Sequence, residues 1–229
     1  MKRGGTSWRS IATARPVRLG LAVTALALAA TACSVPGIYV VEDAGASASS
    51  GPANAAFNPT TYAKGIWDSK VVPTATKDAV DATTLLPAIK ADPTGASKKY
   101  GKQAGSGAPY AFLVKGSGTV LDVSSGTEVG SIKVQVAGLA KTSVNLAVGP
   151  AFVGTAVRDA VGFIDFGQFT NQIDYADAAT ALNATVKSSV VNSLDLRTIK
   201  GKHVTFVGAF QLLDPSSVMI TPITLQVGS

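Results

Sequence analysis

The sequence predicts an α+β fold in which an N-terminal helical subdomain, residues 58–104, precedes a five-stranded antiparallel β-barrel domain, residues 105–229. Two observations lead to this fold class. Apolar residues between positions 58 and 101 recur every three or four positions, which is the period of a helix. After position 105 most of them alternate with polar residues, as in strands, and one helical stretch interrupts the alternation.

Residues 1–32 are predicted to be a lipoprotein signal peptide. Five basic residues and no acidic one precede Leu19, and small and apolar residues then run to Ala32. This run of 14 residues is shorter than the roughly 20 needed to cross a bilayer as a helix, which favours a cleaved leader. The ending Ala30-Thr31-Ala32-Cys33 is similar to a bacterial lipobox, with Ala30 where leucine is usual. We therefore expect Cys33, the only cysteine, to carry a lipid anchor.

Residues 33–57 are predicted to be a flexible tether after this lipid anchor, because Ala, Gly, Ser and Pro dominate them. The leader also accounts for most of the formal net charge of +6. Without its five basic residues, 15 Lys and Arg residues stand against 14 acidic ones, so the exported form has a net charge near +1. The charge is therefore no sign of nucleic-acid binding, and we expect no nucleic-acid partner.

The helical subdomain is predicted to open at Asn58, an N-cap residue that is followed by Pro59 at the first helical position. We expect this first helix to stop at Pro73, after the apolar residues Tyr62, Ile66 and Trp67. A second helical segment is predicted from about Thr76 to Ala91 and is expected to be divided at Pro87. A third, short one runs from Pro93 to Tyr100 and ends at Gly101.

Three alternating strands follow, over about 112–123, 132–136 and 144–148. A helix is predicted from Phe169, with an apolar stripe formed by Tyr175, Ala179, Leu182, Val186 and Val190. Two last strands contain Val204 to Phe210 and Ile223 to Val227, and Pro222 confines the second of them to an edge or a bulge. Three strands, a helix and two strands are the connectivity of an OB-like barrel. A plain antiparallel sheet with helices on one face is the alternative.

The sequence shows no recognisable catalytic motif. His203 is the only histidine and lies in a strand pattern, without the G-x-S-x-G motif of a serine hydrolase. One histidine and one lipidated cysteine exclude the usual zinc sites. Asp159 and Asp165 could supply the two acids of a glycosidase, but such pairs are common in any chain with 14 acidic residues. We therefore assign no catalytic residue, metal ligand or cofactor, and expect a protein that is not an enzyme.

The stretch from Gly149 to Ala176 is the most informative part of the chain, because it holds four of the eight phenylalanines. Polar side chains lie between these aromatic ones and would be costly to bury without partners. Arginine and amide groups beside aromatic faces suit sugars and small carboxylates. We expect either a ligand site or, with greater weight, a closed structural network that ties the loop to the barrel, formed by Trp67, Arg158, Asp159, Asp165, Asn171 and Gln172.

Several motifs resemble one family across nearly the whole exported chain. They are Tyr62 to Lys70, Asp81 to Leu86, Lys98 to Gly101, Gly154 to Asp159, Phe169 to Ile173, and Gly208 to Phe210 with Thr221-Pro222. The resemblance is to predicted bacterial periplasmic lipoproteins that form a domain of unknown function and are often encoded beside sugar ABC-transporter genes. It implies a barrel-like domain with a helical part, and it transfers no catalytic residues.

Together these observations predict a lipoprotein that is exported and anchored to the cell membrane, with its domain facing the periplasm or cell exterior. We expect a non-enzymatic accessory or binding protein of sugar-type ABC uptake, whose partners are transporter components or a sugar-like solute. Two alternatives stay open. The protein could be a structural envelope protein without a ligand, in which case the polar network would be closed, or a carboxylate-based glycoside hydrolase, which would need two acids facing one cleft.

Overall fold

The computed structural model describes residues 56–126, 128–139, 143–213 and 218–228. The leader, the tether as far as residue 55, and Cys33 lie outside these residues. The described residues fall within one compact unit that spans Pro52–Ser229, and the boundary that we placed at residue 104 stays a prediction. Among them, no helix has both the length and the apolar character needed to cross a membrane.

The first helical segment differs from the prediction at Pro73. Helix α1, Pro59–Ile66, is capped by Asn58, whose Oδ1 accepts a hydrogen bond of 2.9 Å from the amide of Thr61. A π-helical turn, Trp67–Val71, then leads directly into α2, Val72–Asp78. Pro73 does not stop the helix, because it occupies the first turn of α2, where a missing N–H costs little.

The break in the second segment lies earlier than predicted. Strand β1, Val80–Asp81, pairs in parallel with a later strand, and Asp81 then caps α3, Ala82–Ala91. Pro87 does not divide this helix but lies inside it. Helix α4, Pro93–Tyr100, ends at Gly101 as predicted. A Cβ at Gly101 would lie 2.7 Å from the carbonyl oxygen of Ser97, so close backbone contact accounts for this glycine.

The remaining strands are β2, Lys102–Gln103, β3, Tyr110–Ser124, β4, Ser131–Val136, β5, Ser143–Ala147, β6, His203–Gln211, and β7, Met219–Val227. The short β2 pairs only with β3. The five long strands pair in a closed cycle: β3 with β4, β4 with β5, β5 with β7, β7 with β6, and β6 with β3. Within this cycle the β5–β7 pair is parallel and the other four pairs are antiparallel, so the predicted all-antiparallel pairing is wrong for one pair. The mixed α+β class is thereby confirmed.

Two helices lie between β5 and β6. Helix α5, Ala156–Ala160, was not predicted, since five residues are too few for a periodic pattern. The predicted long helix is present as α6, Gln172–Ser189, and a short 3₁₀ turn, Phe166–Gln168, precedes it. Asn183 of α6 is also buried, although it is not part of the predicted apolar stripe.

Pro222 lies at an irregularity of the sheet, as its sequence position predicts. The β6–β7 register shifts between Val207 and Gly208, and Gly208 is opposite Pro222. A Cβ at Gly208 would lie 2.5 Å from the Ile220 side chain and 2.6 Å from the Thr221 carbonyl oxygen. Only glycine fits between the two strands at this shift.

Buried residues form two cores. The first combines strand residues with residues of α3 and α4, and its largest side chains include Phe112, Phe206, Phe210, Ile132, Leu146, Leu85 and Ile89. The rings of Phe112 and Phe210 stack there with centroids 5.1 Å apart. The second core joins α1, the π turn, α2, α5 and α6 to residues of β3, β6 and β7, including Leu113, Ala209 and Ile223. The candidate site described next borders this second core.

Candidate functional site

Helix α5 contains a buried ion pair between two residues that are adjacent in the chain. Arg158 and Asp159 are only 7% and 5% exposed. The Nε and Nη2 atoms of Arg158 both lie 2.8 Å from Oδ1 of Asp159. A buried ion pair is tolerated only when its other donors and acceptors are also satisfied, so the remaining partners determine what this site can do.

The third nitrogen of the Arg158 guanidinium binds helix α6. Nη1 donates a hydrogen bond of 3.0 Å to the backbone carbonyl of Tyr175. The guanidinium carbon also lies 3.6 Å from the centroid of the Tyr175 ring, within the range of a cation–π contact. All three guanidinium nitrogens are therefore occupied by protein groups.

The second carboxylate oxygen of Asp159 binds two groups. Oδ2 accepts a hydrogen bond from the Thr155 hydroxyl and another, of 3.1 Å, from Nε2 of Gln211 at the end of β6. The same Gln211 nitrogen lies 2.9 Å from the hydroxyl oxygen of Thr155. The network formed by Thr155, Arg158, Asp159, Tyr175 and Gln211 is thus closed, and it links α5 to β6 and to α6.

The other polar residues predicted for this network lie elsewhere. Asn171 caps α6: its Oδ1 accepts a hydrogen bond of 2.9 Å from the amide of Asp174. The first backbone amides of a helix have no partner within the helix, and the Asp174 amide is one of them. Because the Asn171 side chain satisfies this amide, it is not available to Arg158. Gln172 is exposed at the first position of α6, and Asp165 is exposed before the 3₁₀ turn. We expected Arg158, Asp159, Asn171 and Gln172 to form one network. In the structure Arg158 and Asp159 pair with each other, whereas Asn171 caps α6 and Gln172 is exposed.

Trp67 belongs to the second core, where it is 4% exposed. It does not line an open pocket with Arg158 and Asn171. Sequence reasoning also missed Asn183, whose Nδ2 donates a hydrogen bond of 2.9 Å to the carbonyl of Gly154. Gly154 has a positive φ of 87°, which favours glycine, so this bond fixes the turn that leads into α5.

Five aromatic side chains surround the start of α6. The rings of Phe57, Tyr62 and Phe169 lie in mutual edge or tilted contact at 5.3–5.5 Å, and Tyr175 contacts both Phe166 and Phe169. The Tyr175 hydroxyl is buried without a hydrogen-bond partner among the described residues. Burial raises the pKa of Tyr175, and burial together with the nearby Tyr175 raises the pKa of Tyr62. Both phenols therefore remain neutral at physiological pH.

A groove of about 570 Å³ opens beside this cluster, between the α1–α2 segment and the loop that follows α5. Its lining combines aromatic, hydroxyl, amide and ammonium groups and contains no carboxylate, with residues Tyr62, Ile66, Ser69, Lys70, Pro73, Thr74, Phe163 and Gln168. Of the residues that we predicted for the site, none lines this groove. The π turn that supplies Ser69 and Lys70 has no simple periodic signal in the sequence, and this is why the groove was missed.

Among the described residues, no group of three or more His, Cys, Asp or Glu side chains could hold a metal ion. His203 lies at the exposed start of β6, as its strand pattern predicts. Arg158 is only 7% exposed, and each of its guanidinium nitrogens already donates to a protein group. The groove is therefore the candidate functional site, and its groups are suited to binding small polar molecules.

Comparisons with known proteins address the family and the fold. The family model described as "Predicted periplasmic lipoprotein (DUF2291)" matches residues 23–226. Among curated proteins, no match is found. A crystal structure of an OB-fold protein from Thermotoga maritima is similar at 24% identity and a TM-score of 0.60, covering 75% of this chain and 99% of the other. This second similarity concerns the fold alone.

Proposed function

We propose, from the premise that the chain belongs to the DUF2291 family of predicted periplasmic lipoproteins, that it is a non-enzymatic accessory protein of the cell envelope. In this proposal Cys33 carries the lipid, residues 33–57 form the tether, and the folded part faces the periplasm or cell exterior. The protein assists an ABC transporter in the uptake of a sugar-like solute. The resemblance to lipoproteins encoded beside sugar ABC-transporter genes supports the transporter partner.

The observation that carries the proposal is the composition of the groove. It offers aromatic faces, hydroxyl groups, an amide and an ammonium group, which are the groups that bind hydroxylated solutes. A glycosidase needs two carboxyl groups across one cleft, and the groove lining contains none. Asp159 is held by Arg158, Thr155 and Gln211, and Asp165 is exposed on a loop. This supports binding without catalysis.

The closed cycle of strand pairs supports the OB-like barrel that we predicted, with α6 between its third and fourth strands. The β3–β6 and β5–β7 pairs complete the cycle. The groove lies outside this cycle of strands, on helical and loop segments that pack against it. The groove has this position, since its residues come from the α1–α2 segment and the α5–α6 loop.

A structural envelope protein without a ligand is the second candidate, and the closed Arg158 network favours it. We predicted such closure for a protein whose polar residues serve the fold. All three Arg158 nitrogens and both Asp159 oxygens have protein partners. The two candidates differ in one respect that can be measured, which is whether cells need the protein for the uptake of a solute.

The test is transport by cells that lack the gene. We expect deletion to lower the initial uptake rate of one or a few labelled sugars from a panel, and the full chain to restore it. A Cys33→Ser chain should not restore it, because the protein would lose its membrane anchor. Unchanged uptake of every sugar, together with increased sensitivity to detergent, would reject the transport role in favour of the structural one.

A further inference from the structure

We infer that the groove between the α1–α2 segment and the α5–α6 loop binds a small hydroxylated molecule that carries one negative charge, such as a sugar acid. The inference rests on the proposed function and names the class of solute for that site. It depends on three features of the groove, which are its fixed wall, its hydrogen-bonding groups and its single charge.

The π turn is anchored at both ends and forms part of the helical wall of the groove. Its first and last residues, Trp67 and Val71, are buried in the second core, whereas Ser69 and Lys70 between them are exposed and line the groove. The amide of Val72 bonds to the Trp67 carbonyl, five residues back, and Pro73 follows without an N–H. Isolated π turns within helices are frequent at functional sites. Here the turn presents two polar side chains from a segment that is anchored on either side.

Aromatic side chains line both walls of the groove, Tyr62 on α1 and Phe163 on the loop that follows α5. Tyr62 lines the groove, and its ring is held by Phe57 and Phe169 at centroid distances of 5.5 and 5.4 Å. Phe163 adds a second aromatic side chain to the lining. An aromatic surface that is already packed loses little entropy on binding, and it suits the apolar C–H face of a pyranose ring.

The neutral polar groups of the groove have free acceptor positions. Nε2 of Gln168 donates a hydrogen bond of 2.8 Å to the Phe163 carbonyl, which orients the amide and leaves its oxygen for a ligand hydroxyl. The Ser69 hydroxyl donates to the Gly65 carbonyl at 2.9 Å, so its oxygen can still accept. Thr74 adds another hydroxyl to the lining. A ligand with several hydroxyl donors matches this set.

Lys70 gives the groove its charge. It is the only charged residue of the lining, and the ion pairs of the described residues do not include it. None of the described lining residues carries a carboxylate, which would repel an anionic ligand. An ammonium group without a protein counterion favours a ligand that supplies one, and its flexible chain can reach a carboxylate at different positions. A neutral sugar would leave this group unused.

The test uses the full chain in detergent micelles, with ¹⁵N-resolved NMR of backbone amides during titration with sodium D-glucuronate, D-glucose or acetate. We expect glucuronate to shift amides of residues 62–74 and 163–168 and to bind more tightly than glucose or acetate. Lys70→Gln removes the charge and keeps a flexible polar side chain that is one bond shorter. It should weaken glucuronate binding about two- to fivefold, the range for an exposed ion pair, and leave glucose binding unchanged.

Lys64→Gln is the matched control, because Lys64 is exposed like Lys70 but lies on α1 and does not line the groove. It should bind glucuronate like the wild type. The inference is overturned if glucuronate shifts none of these amides, if acetate binds as tightly as glucuronate, or if both Lys variants weaken binding equally. If glucuronate does not bind but sugar uptake still depends on the gene, the groove and the solute class are rejected and the transport role is not. Binding here without any uptake defect rejects the transport role instead.

Discussion

Arg158 and Asp159 are adjacent on helix α5, and two guanidinium nitrogens of the first lie 2.8 Å from a single oxygen, Oδ1, of the second. This arrangement leaves Nη1 of Arg158 for α6 and Oδ2 of Asp159 for Thr155 and Gln211. If Nε and Nη2 of Arg158 had each bound a different carboxylate oxygen, Oδ2 of Asp159 would have one position fewer for other donors. The ion pair is therefore the junction through which a helix of five residues is held between β6 and α6.

Arg158→Ala should destabilise the protein by about 2 to 4 kcal/mol, since most substitutions cost about 0.5 to 3 kcal/mol and removing one partner of a buried charge pair costs about 3 to 5 kcal/mol. Asp159 would stay buried without its counterion, and the Tyr175 carbonyl would lose its donor. For a domain of this size, we expect the thermal midpoint to fall by several degrees, since each 1 kcal/mol shifts it by about 2 to 4 °C. Thermal unfolding followed by circular dichroism measures the shift.

Lys200→Ala provides the comparison for Arg158→Ala. Lys200 pairs with Asp122 at 3.2 Å, but both side chains are about two-thirds exposed, at 66% and 64%. Exposed pairs contribute little, so this variant should melt within about one degree of the wild type. Equal midpoints for Arg158→Ala and the wild type would show that the network does not stabilise the fold.

Local chemistry made several elements predictable. Asn58 with Pro59 is a local signal for a helix start, and the structure has α1 at that position. The alternation from Ile132 to Val136 marks a strand with one buried face, and β4 has this burial pattern. Pro222 cannot donate to a sheet, and it lies where the β6–β7 register shifts. In each case the information lies within a few residues.

The interactions that sequence reasoning missed connect distant residues. Gln211 reaches Asp159 across 52 positions and Asn183 reaches Gly154 across 29, and no local pattern indicates either hydrogen bond. Asn171 was expected beside Arg158, but the first turn of α6 requires its side chain as a cap. The Thr155–Asp159 contact could have been predicted from the sequence, because the two residues are four positions apart on one turn.

Asp81→Asn should remove a pH-dependent part of the stability. Hydrogen bonds from the Thr83 hydroxyl and then the Thr83 amide hold the pKa of Asp81 below its ordinary value of 3.8. A lowered pKa in the folded state contributes stability that is present above pH 3.8 and is lost as the pH falls through the folded value. Asparagine keeps the cap without the charge. Thermal midpoints between pH 6 and 2.5 should therefore differ most at the upper end and converge at the lower.

Thr83→Val gives an independent check on this pH effect. It removes the hydroxyl that lowers the Asp81 pKa most, while the backbone hydrogen bond of 2.9 Å to Oδ1 remains. The acid loss of stability should then be smaller than in the wild type and complete at a higher pH, because it begins near the ordinary value of 3.8 in both proteins and ends at the folded pKa, which is higher in the variant. A gap between wild type and Asp81→Asn that is the same at pH 6 and pH 2.5 would contradict the assignment of the effect to this carboxylate.

Cys33 should carry the lipid anchor, and this prediction lies outside the residues that the structure describes. The sequence gives three reasons, which are the basic start, the 14-residue apolar run and the single cysteine at its end. Intact-mass analysis of the membrane-extracted protein should show a chain that begins at Cys33 with added acyl mass. Cys33→Ser should leave an unprocessed or soluble form. A wild-type mass without acyl groups would refute the anchor.

Tyr175→Phe should raise the stability, in contrast to most changes at a half-buried aromatic residue. The Tyr175 hydroxyl is buried without a hydrogen-bond partner among the described residues, whereas its ring contacts Arg158, Phe166 and Phe169. Phenylalanine removes the unsatisfied group and keeps the ring, so we expect a gain of about 1 kcal/mol and a rise of about 2 to 4 °C in the thermal midpoint. Tyr175→Ala should lower the midpoint, because the ring contacts are lost as well. A fall in the midpoint for both variants would mean that the hydroxyl has a stabilising partner in solution.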